Sequence, residues 1–310
     1  MENQGLKGVL AVVHTPFTDG DEIDQVSFRR QVDWAFEVGA DGLGMGMVSE
    51  TLKLTPDERR FLIEYLVKCT DGRGCVFASV GAESTKHAQQ FAKHAESVGC
   101  GAVMAIPPIS SGVSESQMFD YFATIVKAVD VPVIVQDASG YVGQPISHSV
   151  AVQLLDTFGS ERVHFKPESS PLGPNLSRLR DATGGRARIL EGSGGVLMID
   201  CFRRGIVGTM PGIELLDANV EVWRALNRGD EKRAYQIYLT VCALVNLQLQ
   251  AGLDGFLAIE KYLMHQRGLF ATVHRRAPYA WELDGETSRE VDRLFELMRL
   301  ALRSSADGDT

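Results

Sequence analysis

The feature that most constrains the fold is a repeated rhythm, in which short apolar runs alternate with longer amphipathic stretches about eight times. Strands of a parallel sheet are buried on both faces, so they form continuous apolar runs in a sequence rather than alternating ones. The strand candidates are residues 9–14, 42–47, 76–80, 102–106, 133–136, 163–166, 189–191 and 206–210. Each run precedes a turn and a helical stretch. Eight such units predict a (β/α)8 barrel.

The helical stretches carry their own signals. Thr55 and Glu58 have the spacing of a capping box, in which side chain and backbone satisfy each other at a helix start. Beyond the eighth unit, the strand signals stop. Three helical stretches remain, at residues 231–250, 255–267 and 288–303. We therefore expect a barrel over residues 1–228, a C-terminal helical extension over 229–303 and a disordered tail over 304–310.

The composition narrows the class of protein. A length of 310 residues suits one barrel with an added segment and leaves no room for a second large domain. The 31 basic and 40 acidic residues give a formal net charge of -9, which disfavours nucleic acid or an anionic membrane as a partner. The five cysteines are scattered without metal-site spacing, and residues 1–7 lack the apolar stretch of a signal peptide. We expect a cytoplasmic protein without a metal site.

Lys166 is the first candidate for chemistry, because active sites of such barrels form at the carboxyl ends of the strands. It is the last residue of the sixth strand candidate, Val-His-Phe-Lys, so the aliphatic part of its side chain is expected to be buried and its amine to face the barrel mouth. Burial disfavours the charged ammonium and leaves a free amine that can attack a carbonyl carbon. A barrel-core lysine paired with a carboxylate produces the same pattern, so position alone leaves both interpretations open.

The second candidate is the segment 44–50, Gly-Met-Gly-Met-Val-Ser-Glu, which follows the second strand candidate. Its glycines allow backbone amides to face an anion and Ser49 adds a hydroxyl, so the segment fits a substrate carboxylate. Taken alone, a glycine turn that only leads into the next helix is the better explanation. Glu50 is expected to bind the local backbone.

Four segments together resemble the dihydrodipicolinate synthase and N-acetylneuraminate lyase family of Schiff-base-forming lyases. They are residues 8–17 at the start, 46–50 in place of the family's Gly-(Ser/Thr)-Thr-Gly-Glu loop, 165–168 (Phe-Lys-Pro-Glu) at its lysine strand and 205–209 at its glycine-bearing eighth strand. Their order and spacing extend over nearly the whole chain. The resemblance implies a barrel with a helical extension that assembles as a homo-oligomer, a tetramer or a dimer, and we expect no cofactor.

The resemblance also implies roles for individual residues. Lys166 is expected to condense with the keto group of pyruvate or another 2-keto acid. Val48 and Ser49 are expected to hold the substrate carboxylate, and Met47 to line the site. Thr209 belongs to the strand that lines the pyruvyl pocket in the family.

The departures from the family pattern concern the fifth strand and the loops around it. The family usually has Tyr-Asn-x-Pro, whose tyrosine relays protons, whereas this chain has Gln136 and Asp137 followed by Ala-Ser. Tyr141 replaces the arginine that grips the second substrate in the synthases, and Ile109 replaces a tyrosine lent by a neighbouring subunit. Lysine biosynthesis is therefore a poor interpretation. The Val-Gln-Asp-Ala stretch is instead similar to 2-keto-3-deoxy sugar acid dehydratases, and it keeps Gln136, Asp137 and Tyr141 as site candidates.

The main functional hypothesis is dehydration of a 2-keto-3-deoxy sugar acid, in which an imine acidifies the C3 hydrogen and the C4 hydroxyl leaves. A pyruvate-dependent aldolase and a ligand-binding barrel without catalysis are the alternatives. Ser49, or a water held by Ser49 and Gln136, is the favoured base. The other candidates are His14, Asp137, Glu168 and Glu191, but a histidine at a strand end is more often a packing residue than a base, and Asp137 can instead fix a neighbouring loop. Lys261 is a rival lysine, but it is expected to lie on a solvated helix face.

Overall fold

The computed structural model describes residues 6–304, in which eight parallel strands pair in chain order and β8 returns to β1 to close a barrel. The strands are β1 (Gly8–Val12), β2 (Gly42–Gly44), β3 (Cys75–Ser79), β4 (Ala102–Ala105), β5 (Val133–Asp137), β6 (Val163–Pro167), β7 (Arg188–Glu191) and β8 (Gly208–Thr209). The helices between and after them are α1 (Gln25–Val38), α2 (Pro56–Thr70), α3 (Thr85–Ser97), α4 (Glu115–Ala128), α5 (His148–Phe158), α6 (Leu172–Ala182), α7 (Met198–Arg203) and α8 (Leu216–Asn227). The predicted (β/α)8 fold is confirmed.

Side chains alternate between the two faces of each strand, and this alternation separates two apolar layers. Leu10 and Ile134 belong to a cluster inside the barrel. Val133, next to Ile134, belongs to the larger cluster between the strands and the surrounding helices. The same alternation directs Gln136 of β5 and Lys166 of β6 towards the barrel mouth.

Strand ends differ from the prediction where the ladder of backbone hydrogen bonds stops. β2 ends at Gly44 rather than at residue 47, and Met47–Ser49 forms a 3₁₀ turn. β8 covers only two residues of the predicted 206–210. Met45 and Met47 are nevertheless buried: Met45 packs in the layer between the strands and the outer helices, and Met47 belongs to a small cluster with Ile106 and Ala138. The apolar run therefore continues past the last paired residue, and a strand predicted from that run is too long.

Helix starts follow the capping chemistry of the sequence. Thr55 accepts a hydrogen bond from the N–H of Glu58 at 3.2 Å, and the Glu58 carboxylate accepts one from the N–H of Thr55 at 2.8 Å, which confirms the predicted capping box. The last helix begins at Gly285 rather than at residue 288. The reason is Asp284, whose carboxylate accepts from two N–H groups of the first turn, both at 2.8 Å.

Three further helices follow the barrel: α9 (Glu231–Leu249), α10 (Gly252–Gln266) and α11 (Gly285–Arg303). They share a second apolar core with α8, to which Ile237, Leu263 and Met298 contribute. α10 also contacts the turns that follow β2 and β8, so it lies across one side of the barrel mouth. Most of the predicted tail, residues 305–310, lies outside the described residues. Between residues 6 and 304, the helices are all too short or too polar to cross a membrane.

Candidate active site

Lys166 lies near the end of β6, opposite Gln136 of β5 in the strand register. Its side chain is only 5% exposed, and its Nζ lies 3.4 Å from Oε1 of Glu168. The lysine therefore faces the barrel mouth and is also paired with a carboxylate. The sequence left open a lysine in the barrel mouth and a core lysine paired with a carboxylate, and Lys166 has both features.

The Glu168 carboxylate is held by two further side chains. Oε2 accepts a hydrogen bond from Nε2 of Gln136 at 2.5 Å and another from the hydroxyl of Tyr141 at 3.0 Å. Burial raises the pKa of Glu168 above its ordinary value, although Lys166 and the two hydrogen bonds act in the opposite direction. Glu168 therefore combines a fixed position beside the lysine with a carboxyl group that accepts protons more readily than an exposed one.

Tyr141 contributes a donor rather than a base. The residue is 39% exposed, but its hydroxyl points inward, to Glu168 and to the Gln136 amide nitrogen at 3.1 Å. Desolvation of the hydroxyl and the nearby Glu168 carboxylate hold the pKa of Tyr141 well above its ordinary value. The hydroxyl thus stays protonated and orients the carboxylate.

A cavity of about 240 Å³ lies above these groups. Ligand pockets for drug-sized molecules span roughly 300–1,000 Å³, so this one suits a small organic acid. The chemically active or previously predicted residues that line it are Met47, Val48, Tyr141, Lys166, Glu168 and Glu260. A side chain at Gly192 would collide with Cε of Lys166 and Oε1 of Glu168, so this glycine provides the space in which the pair lies.

The 3₁₀ turn Met47–Ser49 forms one wall of the cavity. Met47 and Val48 line it, as the resemblance implied. Ser49 is fully buried and is not among the lining residues: its hydroxyl donates to the carbonyl of Val13 and accepts the N–H of Gly46 at 3.0 Å. The hydroxyl that was expected to act as a base is therefore occupied in fixing the turn.

Thr209 and Asp137 lie on outward-facing positions of their strands, so their side chains do not reach this cavity. The Thr209 hydroxyl donates to Glu191 at 2.5 Å. The Asp137 carboxylate accepts from the N–H groups of Ser139 at 3.0 Å and Ile146 at 3.1 Å, which fixes the loop after β5. Asp137 borders a separate cavity of about 450 Å³. The resemblance had placed both residues in the substrate site, and strand alternation explains the difference.

The expectations for Glu50 and Lys261 were wrong. Lys261 is 1% exposed rather than solvated, and it forms a buried ion pair with Glu50 of the second-strand segment. Its Nζ also donates to the carbonyl of His274 at 2.8 Å and lies 4.4 Å from the centre of the Phe17 ring. Burial lowers the pKa of Lys261 to about 8. The pair joins α10 to the segment after β2, so its side chains face the barrel rather than the solvent.

A second polar group lies at the other side of the mouth, and sequence reasoning missed most of it. The His14 ring lies between two carboxylates, with Nε2 at 3.3 Å from Glu214 and Nδ1 at 3.6 Å from Glu260. Gln248 donates to the far oxygen of Glu214 at 2.9 Å. Glu214 lies shortly after β8, so a search for polar residues at the carboxyl ends of the strands could have found it. Glu260 lies in α10, and no sequence signal places that helix against the mouth.

This group meets a first test for a metal site, since ligand atoms of His14, Glu214 and Glu260 all lie within 4.8 Å of one another. A single ion, however, binds one nitrogen of an imidazole ring. Here the two ring nitrogens face different carboxylates. Nδ1 also lies 3.2 Å from the carbonyl oxygen of Val48, so the ring is held by Val48 and Glu214, with Glu260 beside it, and the arrangement fits a hydrogen-bonded imidazole better than a metal centre.

The family assignment comes from comparison with known proteins. Residues 5–297 match the model of the dihydrodipicolinate synthetase family. L-2-keto-3-deoxyarabonate dehydratase of Azospirillum brasilense is 29% identical over 294 residues, 92% of each chain. 4-Hydroxy-tetrahydrodipicolinate synthase of Bartonella bacilliformis is 29% identical over 187 residues, 60% of this chain and 58% of the relative.

A solved structure supports the same assignment. The crystal structure of dihydrodipicolinate synthase from Rhodopseudomonas palustris superposes with a TM-score of 0.85 at 26% identity, covering 96% of this chain and 99% of that one. The family match spans the strand that carries Lys166, the turn after β2 and the α10 helix. The chain therefore belongs to the dihydrodipicolinate synthetase family, whose members are lyases.

Proposed function

We propose that the protein dehydrates a 2-keto-3-deoxy sugar acid through an imine on Lys166. The observation that carries this proposal is the buried pair of Lys166 and Glu168, 3.4 Å apart, in the wall of a small cavity. A nucleophilic amine and a carboxylate at this distance supply the two groups that imine-based elimination needs.

Imine formation begins with transfer of a proton from the Lys166 ammonium to Glu168. The raised pKa of Glu168 favours this transfer over that to an exposed carboxylate. The free amine then adds to the C2 carbonyl carbon of the substrate. One N–H proton of the adduct moves to the carbinolamine oxygen and Glu168 returns the other proton, so the oxygen leaves as water and a protonated imine remains. The lysine keeps one N–H, and Glu168 is again ionised.

Elimination follows from the same geometry. The protonated imine withdraws electrons from C3, so Glu168 can remove a C3 proton and form an enamine. The enamine electrons then expel the C4 hydroxyl, which needs a proton to leave as water. Hydrolysis of the remaining imine releases an unsaturated 2-keto acid and restores Lys166. The substrate carboxylate fits against the turn of Met47 and Val48, in keeping with the role of that segment in the resemblance.

Dehydration is favoured over retro-aldol cleavage by the placement of Tyr141 and Gln136. Cleavage requires removal of a proton from the C4 hydroxyl. Tyr141, with its pKa well above the ordinary value, acts as a donor to Glu168, and Gln136 does not titrate. The similarity to an L-2-keto-3-deoxyarabonate dehydratase over 92% of both chains supports the same reaction class.

Product analysis tests the proposal. The purified protein is incubated with 2-keto-3-deoxy pentonates and hexonates of both C4 configurations, and the products are separated by mass. Loss of one water from the substrate, absent from Lys166→Ala, is the expected result. Release of pyruvate without loss of water indicates an aldolase instead. Binding of these acids without any product indicates a barrel that has lost catalysis.

A further inference from the structure

Glu260 is a buried carboxyl group in the wall of the Lys166 cavity that the reaction described so far does not use. Its residue is 2% exposed, and it lines the cavity from α10. Among residues 6–304, its Oε2 atom has no hydrogen-bond partner. Gly212, three residues after β8, leaves space for the Glu260 carboxyl group, because a side chain at this position would crowd Oε1 of Glu260. A buried polar atom without a partner beside an open cavity is positioned for a ligand.

The surroundings of Glu260 favour its protonated form. Burial is the main cause that raises its pKa well above the ordinary value, and the nearby carboxylates of Glu214 and Glu50 add to this shift. Lys261 acts in the opposite direction, but its ammonium is paired with Glu50 on the neighbouring segment. Glu260 therefore keeps its proton to higher pH than an exposed carboxylic acid does.

We propose that Glu260 is the general acid that gives its proton to the departing C4 hydroxyl of the substrate, while Glu168 takes the C3 proton. This inference rests on the proposed dehydration and adds the group that completes it. A neutral carboxylic acid has the O–H that a leaving hydroxyl needs, and the two acidic residues line one cavity at separate positions.

The step balances in protons and electrons. The C3–H bond breaks, its proton goes to Glu168 and its electron pair forms the C2–C3 double bond of the enamine. The enamine electrons then return towards C4 and form the C3–C4 double bond. The C4–O bond breaks with its electrons on oxygen, and the Glu260 proton completes a water molecule. Glu168 is then protonated and Glu260 ionised, so one proton must return between them through solvent. The His14 ring borders Glu260, with Nδ1 at 3.6 Å from the carboxyl group and at 3.2 Å from the carbonyl oxygen of Val48.

The test uses Glu260→Gln, which keeps the shape of the side chain and an N–H donor but cannot transfer a proton. Glu221→Gln on the outer helix α8 makes the same chemical change away from the cavity and serves as the matched control. Two reactions are measured in D2O. One is exchange of the methyl protons of pyruvate, which requires the imine and Glu168 but no leaving group. The other is loss of water from a 2-keto-3-deoxy acid.

The expected result is a separation of the two reactions. Glu260→Gln exchanges pyruvate protons within about threefold of the wild type, but it dehydrates at least about 10²-fold more slowly, which is the lower end for loss of a general acid. A second experiment measures fluoride release from a substrate with fluorine in place of the C4 hydroxyl. Because fluoride leaves without being protonated, the variant should release it at a rate close to that of the wild type.

Two results overturn the inference. If Glu260→Gln dehydrates the hydroxyl substrate at nearly the wild-type rate, another group, with Glu168 itself the first candidate, protonates the leaving oxygen. If the variant loses proton exchange and fluoride release together with dehydration, Glu260 supports the whole site rather than one step. A wild-type protein that exchanges pyruvate protons but eliminates neither water nor fluoride refutes the proposed function, and this inference with it.

Discussion

Replacing Glu168 by Gln isolates the proton-transfer group beside the lysine. The glutamine retains an oxygen that can accept from Gln136 or Tyr141, so the local fold is expected to persist. It cannot accept the proton of Lys166 or of C3. The carboxylate lies 3.4 Å from Nζ and faces the same cavity, so it is placed for both transfers.

The expected loss follows from the role of the group. Removing a positioned general acid or base slows a reaction by roughly 10²–10⁴-fold. This corresponds to a barrier higher by about 3–5 kcal/mol. The assay is exchange of the pyruvate methyl protons in D2O, followed by proton NMR, together with the rate of dehydration. Both rates should fall, because both depend on removal of a C3 proton.

Tyr141→Phe is the matched control, since it removes a donor to the same carboxylate but leaves the base in place. The hydrogen bond from Tyr141 lowers the pKa of Glu168, so Tyr141→Phe should raise that pKa further. The variant should lower the exchange rate by much less than Glu168→Gln does. Exchange in Glu168→Gln within about threefold of the wild type would refute the assignment of Glu168 as the base.

Three further predictions concern pH, stability and space in the site. The pH profile of kcat/KM for dehydration should be bell-shaped. Activity falls with decreasing pH as Glu168 becomes protonated, at a pH above the usual range for a carboxyl group, and it falls with increasing pH as Glu260 loses its proton. A flat profile would contradict these assignments. Lys261→Met removes the buried partner of Glu50, whose other cation, Lys53, lies 3.9 Å away and is less buried. Urea unfolding should therefore show a loss of about 3–5 kcal/mol, and a loss below about 1 kcal/mol would contradict a stabilising ion pair. Gly192→Ala forces a methyl group against Glu168, so pyruvate exchange should fall while the unfolding midpoint changes little; normal exchange would show that the space is not needed.

The barrel and its lysine were predictable because both depend on local patterns. A buried parallel strand is a short apolar run, and Lys166 closes one, so its position in the mouth follows from the strand itself. Met47 and Val48 follow the second strand in the same way. The strand ends were less predictable, since the apolar run continues to Met47 although pairing in β2 stops at Gly44.

For three of the candidate site residues, the structure differs from the expectation in the direction of a side chain at a correctly identified place. Thr209 and Asp137 are at strand ends, but strand alternation directs them away from the mouth. Ser49 is in the predicted segment, but its hydroxyl is satisfied by the backbone of Val13, directly after β1, and of Gly46. Such outcomes depend on register and on local hydrogen bonds, which a list of residue types does not contain.

The partners contributed by α10 depend on tertiary packing alone. Glu260 and Lys261 are adjacent charged residues in an amphipathic helix, and such residues are usually solvated. They are buried because α10 crosses the turns after β2 and β8. Only the assembled fold brings Glu260 to the cavity and Lys261 to Glu50.

The most direct test of the central claim is reduction of the protein with borohydride in the presence of pyruvate, followed by peptide mass spectrometry. The account predicts a reduced adduct on the peptide that contains Lys166, and its absence from Lys166→Ala. The buried Lys261, whose pKa burial lowers to about 8, provides an internal comparison and should remain unmodified. An adduct on Lys261 instead, or no adduct with pyruvate and larger 2-keto acids, would contradict the account.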